Sequence, residues 1–393
     1  MTESTEIINT GLRGVKVAST KISFVDGEAG KLIYRGYRIE DLAERASFEE
    51  VVHLLLYEKL PTAKELEGFK SRLSKERSLP MDILAALKTR PAKARPMDVL
   101  QAAIPMLADH DPEADVLQED KARERGVRLV AKLPTLIAAW ERIRNGREPV
   151  RPDPELNHAA SFLAMLTGKR PDAEVARFLD VCLILHADHT FNASTFAARE
   201  VCSTRAHLYA AAAAAAGSLS GELHGGANAR VMEALLEMGR PEAAEEYVNR
   251  VLDKGGKLMG MGHAVYKTMD PRAKILAPIS REMGRRIKDD RWYELTAALE
   301  EKAKEAFRQR KGKDIYPNVD LYSASVYYAM GIPIDLFTPV FAMSRAAGWA
   351  AHIVEEQFAE AAPKPVLYRP SAEYVADYCG PEECSFVPME ERS

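Results

Sequence analysis

From residue 47 onward the apolar residues recur three and four apart, block after block, and that rhythm confines the chain to a largely helical body. Ser47-Phe48-Glu49-Glu50 reads as a capping box, with Val51, Leu54 and Leu55 following on one face. Thr62-Ala63-Lys64-Glu65 is a second box, opening a helix that carries Leu66, Phe69 and Leu73. The same spacing predicts helices over about 97–108, 121–145 (kinked or broken at Pro134), 155–168 and 172–187. The segment 192–217 holds seven consecutive alanines, Ala210 to Ala216. Alanine is the best helix former and its smooth face lets another backbone approach closely, so the segment suits a buried central helix, a subunit interface, or both. Past the glycines at 217, 221, 225 and 226, shorter and more charged helices are expected near 228–238, 242–253, 271–286 and 291–309. Long apolar helices return at 322–330 and 336–358. Residues 14–39 alone break the rhythm: Val15, Val17, Ile22 and Phe24 alternate, Asp26-Gly27 is a hairpin-type turn, and Ile33 and Tyr34 follow it. A short antiparallel β element is predicted there.

The pattern reads as a mainly α chain of two domains. A large helical domain takes residues 1–224 and 331–393, and a smaller one is inserted at 225–330. Lys and Arg number 54 against 58 Asp and Glu, a net charge of −4, which lacks the cationic excess a nucleic-acid surface needs. No run approaches 18 apolar residues, so no bilayer span is expected. The opening Met1-Thr2-Glu3-Ser4-Thr5-Glu6 is acidic where a secretory signal is basic, and four cysteines in 393 residues make no disulfide framework. A cytoplasmic protein is expected. Cys379 and Cys384 lack CxxC spacing and read as incidental thiols.

The candidate chemistry sits beside glycines. His224 lies in Gly221-Glu222-Leu223-His224-Gly225-Gly226-Ala227-Asn228, and His263 in Gly260-Met261-Gly262-His263-Ala264-Val265-Tyr266-Lys267. Flanking glycines leave a ring open to a ligand, and a helix starting just after disfavours the imidazolium. Each taken alone is more often a turn histidine than a catalytic one. Asp320 closes Tyr316-Pro317-Asn318-Val319-Asp320, where a helix N-cap is the simpler reading. Arg272, Arg345 and Arg369 stand near turns and singly read as surface ion pairs. His186-Ala187-Asp188-His189 holds three competent metal ligands.

In combination the strings say more. Gly-Glu-Leu-His-Gly-Gly-Ala-Asn, then Gly-x-Gly-His-x-Val-Tyr-Lys-Thr-x-Asp-Pro-Arg, then Pro-Asn-Val-Asp, in that order, closely resemble the citrate synthase family. The resemblance covers nearly the whole chain, from Leu32-Ile33-Tyr34-Arg35-Gly36-Tyr37 to Gly348-Trp349-Ala350-Ala351-His352-Ile353. It implies a citrate synthase-like, two-domain, all-helical homodimer that closes over its site and condenses oxaloacetate with acetyl-CoA to citrate and CoA. By motif match His224, His263 and Asp320 would be the catalytic trio. His189, Arg272, Arg345 and Arg369, with Phe341 beside them, would hold oxaloacetate, Arg369 reaching across from the partner subunit. No metal or organic cofactor is implied. Gly260, Met261 and Gly262 offer backbone groups to coenzyme A, and the basic run containing Arg310, Lys311 and Lys313 is placed to attract its phosphates. Closure would hinge near Gly217, Gly221, Gly225 and Gly331. The chain's short N-terminus, without the extra domain of larger members, favours a dimer over a hexamer.

Thr190-Phe191, Met261, Leu321, Ser325 and an insertion at Ala376–Cys379 depart from the family's commoner pattern. Met261, Leu321 and Ser325 bear on the acyl pocket, so 2-methylcitrate synthase, which uses propionyl-CoA, is the alternative. One methylene in an apolar pocket is worth only about 1–3 kcal/mol. More distant alternatives are a metal-dependent hydrolase of the HD type, built on His186, Asp188, His189 and His224, and a non-enzymatic helical scaffold.

Overall fold

The computed structural model describes residues 10–12, 14–374 and 386–392. Cys379 and Cys384, with the insertion at Ala376–Cys379, lie outside the described residues. Three strands, β1 (Ser23–Asp26), β2 (Lys31–Tyr34) and β3 (Tyr37–Arg38), form an antiparallel sheet in that order. Ser23 pairs with Tyr34 and Asp26 with Lys31, leaving Gly27–Gly30 as the hairpin tip. Val15 and Val17, although alternating, lie outside this sheet.

The helices follow: α1 (Ile39–Arg45), α2 (Phe48–Tyr57), α3 (Ala63–Glu76), α4 (Met81–Lys88), α5 (Pro96–Met106), α6 (Glu119–Arg144), α7 (His158–Thr167) and α8 (Ala173–His186). Then come α9 (Ala193–Ser203), α10 (Leu208–Leu219), α11 (Ala227–Met238), α12 (Ala244–Asp253), α13 (Pro271–Ile287), α14 (Arg291–Lys311), α15 (Val319–Ala329) and α16 (Phe337–Phe358). Both capping boxes form, Ser47 with Glu50 and Thr62 with Glu65.

Three expectations need correction. Helix α6 runs unbroken through Pro134. A helix-interior proline costs about 3 kcal/mol, and burial from Leu133 through Glu141 offsets it. The 192–217 segment is two helices, because Arg205 turns left-handed (φ 69°) and His207 caps α10 through its ring. Helix α15 begins at Val319, three residues before the expected 322, for a reason that belongs to the site.

Helix α16 is buried on every face from Phe337 to Gln357, and α2, α6, α8, α9 and α10 pack around it. Ala211, Ala212, Ala215 and Ala216 of α10 are fully buried, while Ala210, Ala213 and Ala214 are only half-buried. A second group packs mainly on itself, α13 and α11 on α15 and α12 on α14. It meets the rest where α11 touches α16 and where α13 touches α1 and α8. The loops carrying the candidate residues lie along that seam.

Candidate active site

His224 sits in the turn between α10 and α11. Its Nε2 receives the backbone N–H of Ser194 (3.1 Å) and lies 2.9 Å from Ser194 Oγ. An N–H aimed at Nε2 makes that atom the acceptor, so the ring proton is on Nδ1. Ser194 belongs to the first turn of α9, which Asn192 caps, so the positive end of α9 faces the ring. Burial, then the charge of Arg345, lowers the pKa of His224 to about 4. It is a neutral imidazole with a free donor.

His263 has the opposite tautomer. Its Nδ1 accepts from the N–H groups of Val265 (3.0 Å) and Tyr266 (3.2 Å), leaving the proton on Nε2. Burial and the charge of Arg272 lower its pKa to about 4 as well. The rings of His263 and His189 lie 5.3 Å apart, and that of Tyr266 is 4.7 Å from His263. His189 Nε2 lies 3.3 Å from Tyr266 Oη, and burial with the charge of Arg272 pushes His189 well below its ordinary pKa.

Asp320 is tied to this loop by its backbone. Asn318, not Asp320, caps α15, accepting the Asp320 N–H at 2.9 Å. That is why the helix starts early and why the N-cap reading of Asp320 is wrong. Asn318 also donates its N–H to Gly260 O (2.9 Å) and its Nδ2–H to Gly262 O (2.7 Å), and Gly262 N–H bonds Tyr316 O (2.7 Å). Gly260 is required by close approach: at φ 78° a Cβ would stand 3.0 Å from Leu321 Cα. Asp320 itself is raised to about 6 by burial, helped by Asp270 and opposed by Arg272 and Arg345.

The cations differ in their commitments. Arg272, at the start of α13, is gripped by Asp270 through Nε (3.0 Å) and Nη2 (2.8 Å), and Asp270 also accepts Val319 N–H (3.2 Å). Buried Arg345 on α16 gives its Nε–H to His186 O (2.7 Å) and lies over the Phe341 ring (4.7 Å). Burial lowers its pKa to about 10. It has no ion pair among the described residues, and its charge acts on His224, His189 and Asp320 alike. Arg369, by contrast, is exposed and is not brought to this cluster within the chain.

The segments expected to meet coenzyme A have partners within the chain. The N–H groups of Met261 and Gly262 and the carbonyls of Gly260 and Gly262 are bonded inside the loop and to residues 316–318, which ties the His263 loop to the start of α15. Arg310 is held by Asp253 and Asn249, at 2.6 Å each. Lys311 lies over the Phe307 ring (4.7 Å), and Lys313 is exposed. Ser325 bonds Ser280 at 2.7 Å and Leu321 is fully buried, so both pack α15 against its neighbours.

His186, Asp188 and His189 do not converge as metal ligands. His186 Nδ1 is bonded to Cys182 O (2.8 Å), and Asp188 is bonded to Ser23, Thr190 N–H and His352. Among the described residues no group of three acidic, histidine or cysteine side chains is gathered for a metal. Tyr266, Ser194 and Asp270 were not singled out from the sequence. Asp270-Pro271 is a helix-start signal that points to the Asp270 cap, but the bond from Ser194 to His224 spans 30 residues and leaves no local trace.

The family model for the citrate synthase C-terminal domain matches residues 11–371. The chain belongs to the citrate synthase family. Citrate synthase of Haloferax volcanii is 44% identical, over 98% of this chain and 99% of that protein. A 2-methylcitrate synthase of Corynebacterium glutamicum is 38% identical, over 98% and 99%. Among solved structures, citrate synthase from Pyrobaculum aerophilum superposes with a TM-score of 0.89 at 43% identity, covering 97% of this chain and 95% of that one. The ternary complex of carboxymethyl coenzyme A and oxaloacetate with citrate synthase from Thermoplasma acidophilum also gives 0.89, at 33% identity, covering 99% and 100%. These family members share the helical fold described above.

Proposed function

We propose that this chain condenses oxaloacetate with acetyl-CoA and water to citrate and CoA, with Asp320 as base and His224 and His263 as hydrogen-bond donors. One observation carries the reading. Asp320 and Arg345 feel each other's charge yet form no ion pair, Arg345 also acts on neutral His224, and neutral His263, of opposite tautomer, feels Arg272 as Asp320 does. An unspent base and an unspent cation in one cluster suit an anionic substrate.

A thioester α-proton is far less acidic than a carboxylic acid, and each pKa unit of mismatch costs about 1.4 kcal/mol. Raising Asp320 to about 6 recovers part of that gap. Donation from His224 Nδ1–H to the thioester oxygen stabilises the enolate as charge develops there. The enolate carbon attacks the ketone carbon of oxaloacetate, and His263 Nε2–H meets the oxygen that becomes the citryl hydroxyl. Water then cleaves the citryl thioester and releases the CoA thiol. Arg272, Arg345 and His189 fit the two carboxylates of oxaloacetate, with arginine forks suited to bidentate contact. Phe341 keeps Arg345 in place by stacking. In this scheme the proton transfers run through these side chains and the attacking water, with no metal or organic cofactor.

Two further parts belong to the reading. The α11–α15 group closes on the remainder and excludes water, and the chain acts as a cytoplasmic homodimer with Arg369 completing the partner's site. The half-buried alanine face of α10 supports an interface there. None of the described helices is long and apolar enough to cross a membrane. Thiol release measured with acetyl-CoA and with propionyl-CoA, each with and without oxaloacetate, tests the activity. Oxaloacetate-dependent release, faster with acetyl-CoA, is expected; release with propionyl-CoA alone moves the assignment to 2-methylcitrate synthesis, and none with either defeats it.

A further inference from the structure

The β1–β2 hairpin touches both histidine loops. At its base, Ser23 Oγ donates to Asp188 and accepts the Thr190 N–H (3.0 Å), and Tyr34 Oη donates to Asp188 O (2.9 Å) and accepts the Asp188 N–H (3.1 Å). These bonds bracket His189, and Thr190 beside it is held at φ 50°, a left-handed conformation that β-branched residues rarely adopt. At its tip, Gly27 O accepts the Lys267 N–H (2.9 Å). A Cβ on Gly27 would stand 2.2 Å from Val265 O, and one on Gly30 would stand 2.8 Å from Thr268 Cγ2. Residues 265–268 run from His263 and Tyr266 towards Arg272. The two loops otherwise come from different helix groups, yet their histidine rings lie 5.3 Å apart.

We propose that this hairpin is the positioning element that sets the separation of His189 and His263, with Ser23 and Tyr34 holding one loop and Gly27 the other. The proposal rests on the activity proposed above. Misplacing a reacting group by about 1 Å costs on the order of a hundredfold in rate. Arg272 and Arg345 are anchored by Asp270 and His186 O rather than by the hairpin, so of the proposed oxaloacetate ligands only His189 depends on it. Gly27 lies outside the left-handed region, so Gly27→Ala tests the close approach alone.

The experiment compares Gly27→Ala, Ser23→Ala and, as a control on open helix surface, Gly68→Ala, by oxaloacetate-dependent thiol release and by hydrogen exchange at the Lys267 amide. The expected result is a kcat loss of about tenfold or more in both hairpin variants, with the oxaloacetate KM within about threefold of wild type in Gly27→Ala, which loosens the His263 loop, and raised in Ser23→Ala, which loosens the loop of the ligand His189. The Lys267 amide should lose protection in Gly27→Ala, and Gly68→Ala should match wild type throughout. Wild-type kcat in both hairpin variants overturns the proposal, as does an unprotected Lys267 amide in a Gly27→Ala enzyme of full kcat. Should Gly27→Ala fail to fold, Ser23→Ala decides alone by the same kcat criterion. If wild type releases no thiol, the activity itself is refuted; the hairpin then stands or falls on loss of Lys267 protection with unchanged melting in Gly27→Ala.

Discussion

In the proposed mechanism Asp320 is the group whose ionisation limits the chemistry. Its pKa of about 6 lies above those of His224 and His263, both about 4, so both histidines are neutral wherever Asp320 is a base. Activity on the free enzyme should therefore rise with pH through an acid limb near 6. Burial raises this carboxyl while Arg272 and Arg345 lower it. Substrate carboxylates neutralise those arginines, so the limb of kcat should sit above that of kcat/KM for oxaloacetate. Coincident limbs, or a limb near 4, would contradict the assignment. Stability carries the same sign. A carboxyl whose folded pKa is raised binds its proton longer in the native than in the unfolded state, so folding stability falls as pH climbs from about 4 to 6. Asp320→Asn should abolish turnover yet gain about 1–2 kcal/mol in denaturant melts at pH 7, an advantage that vanishes at pH 4. The residues proposed to react were easy to single out in the chain because each sits in a short string with its glycines and prolines. Their supports were not, since Ser194, Tyr266 and Ser23 act on atoms tens of residues away.

Among the elements, α15 shows how much a cap can do beyond starting a helix. Asn318 satisfies the Asp320 N–H with its side-chain oxygen and ties down Gly260 and Gly262 with its two donors. Replacing an N-cap by alanine costs about 1 kcal/mol. Asn318→Ala should show that loss in a thermal melt and, because His263 rides on the released loop, a kcat loss of about tenfold or more. Asn318→Asp keeps the cap acceptor but aims a carboxylate at Gly262 O, so it should restore the melting temperature better than the rate. Equal recovery of both would show that the loop needs no tether from this side chain. Caps and spacing made most helices readable, including α2, α3 and α8. What they misjudged were breaks set by burial or by single backbone angles. Pro134 is carried by packing, and Arg205 ends α9 in a stretch whose composition reads as continuous helix.

For the molecule as a whole, the chain gathers Asp320, three histidines and two buried arginines but leaves Arg369 exposed on the segment after α16. Tyr368 beside it is bonded to Glu356 (2.9 Å), which in turn pairs with buried Arg199. The segment is thus moored on the large helix group while Arg369 is exposed, and the proposal has that cation serve another subunit. Two inactive variants mixed in one preparation test this. Asp320→Asn lacks the base but keeps Arg369; Arg369→Ala keeps the base but lacks the cation. In a mixed dimer with Arg369 acting in trans, the site with its own Asp320 receives an intact Arg369, and the other site lacks both. Random pairing makes half the dimers mixed, each with one working site, so co-refolded protein should recover about a quarter of wild-type activity. If Arg369 served its own subunit, every mixed site would lack one group and nothing would be recovered. Light scattering on the same sample separates that outcome from a monomer, in which no exchange is possible.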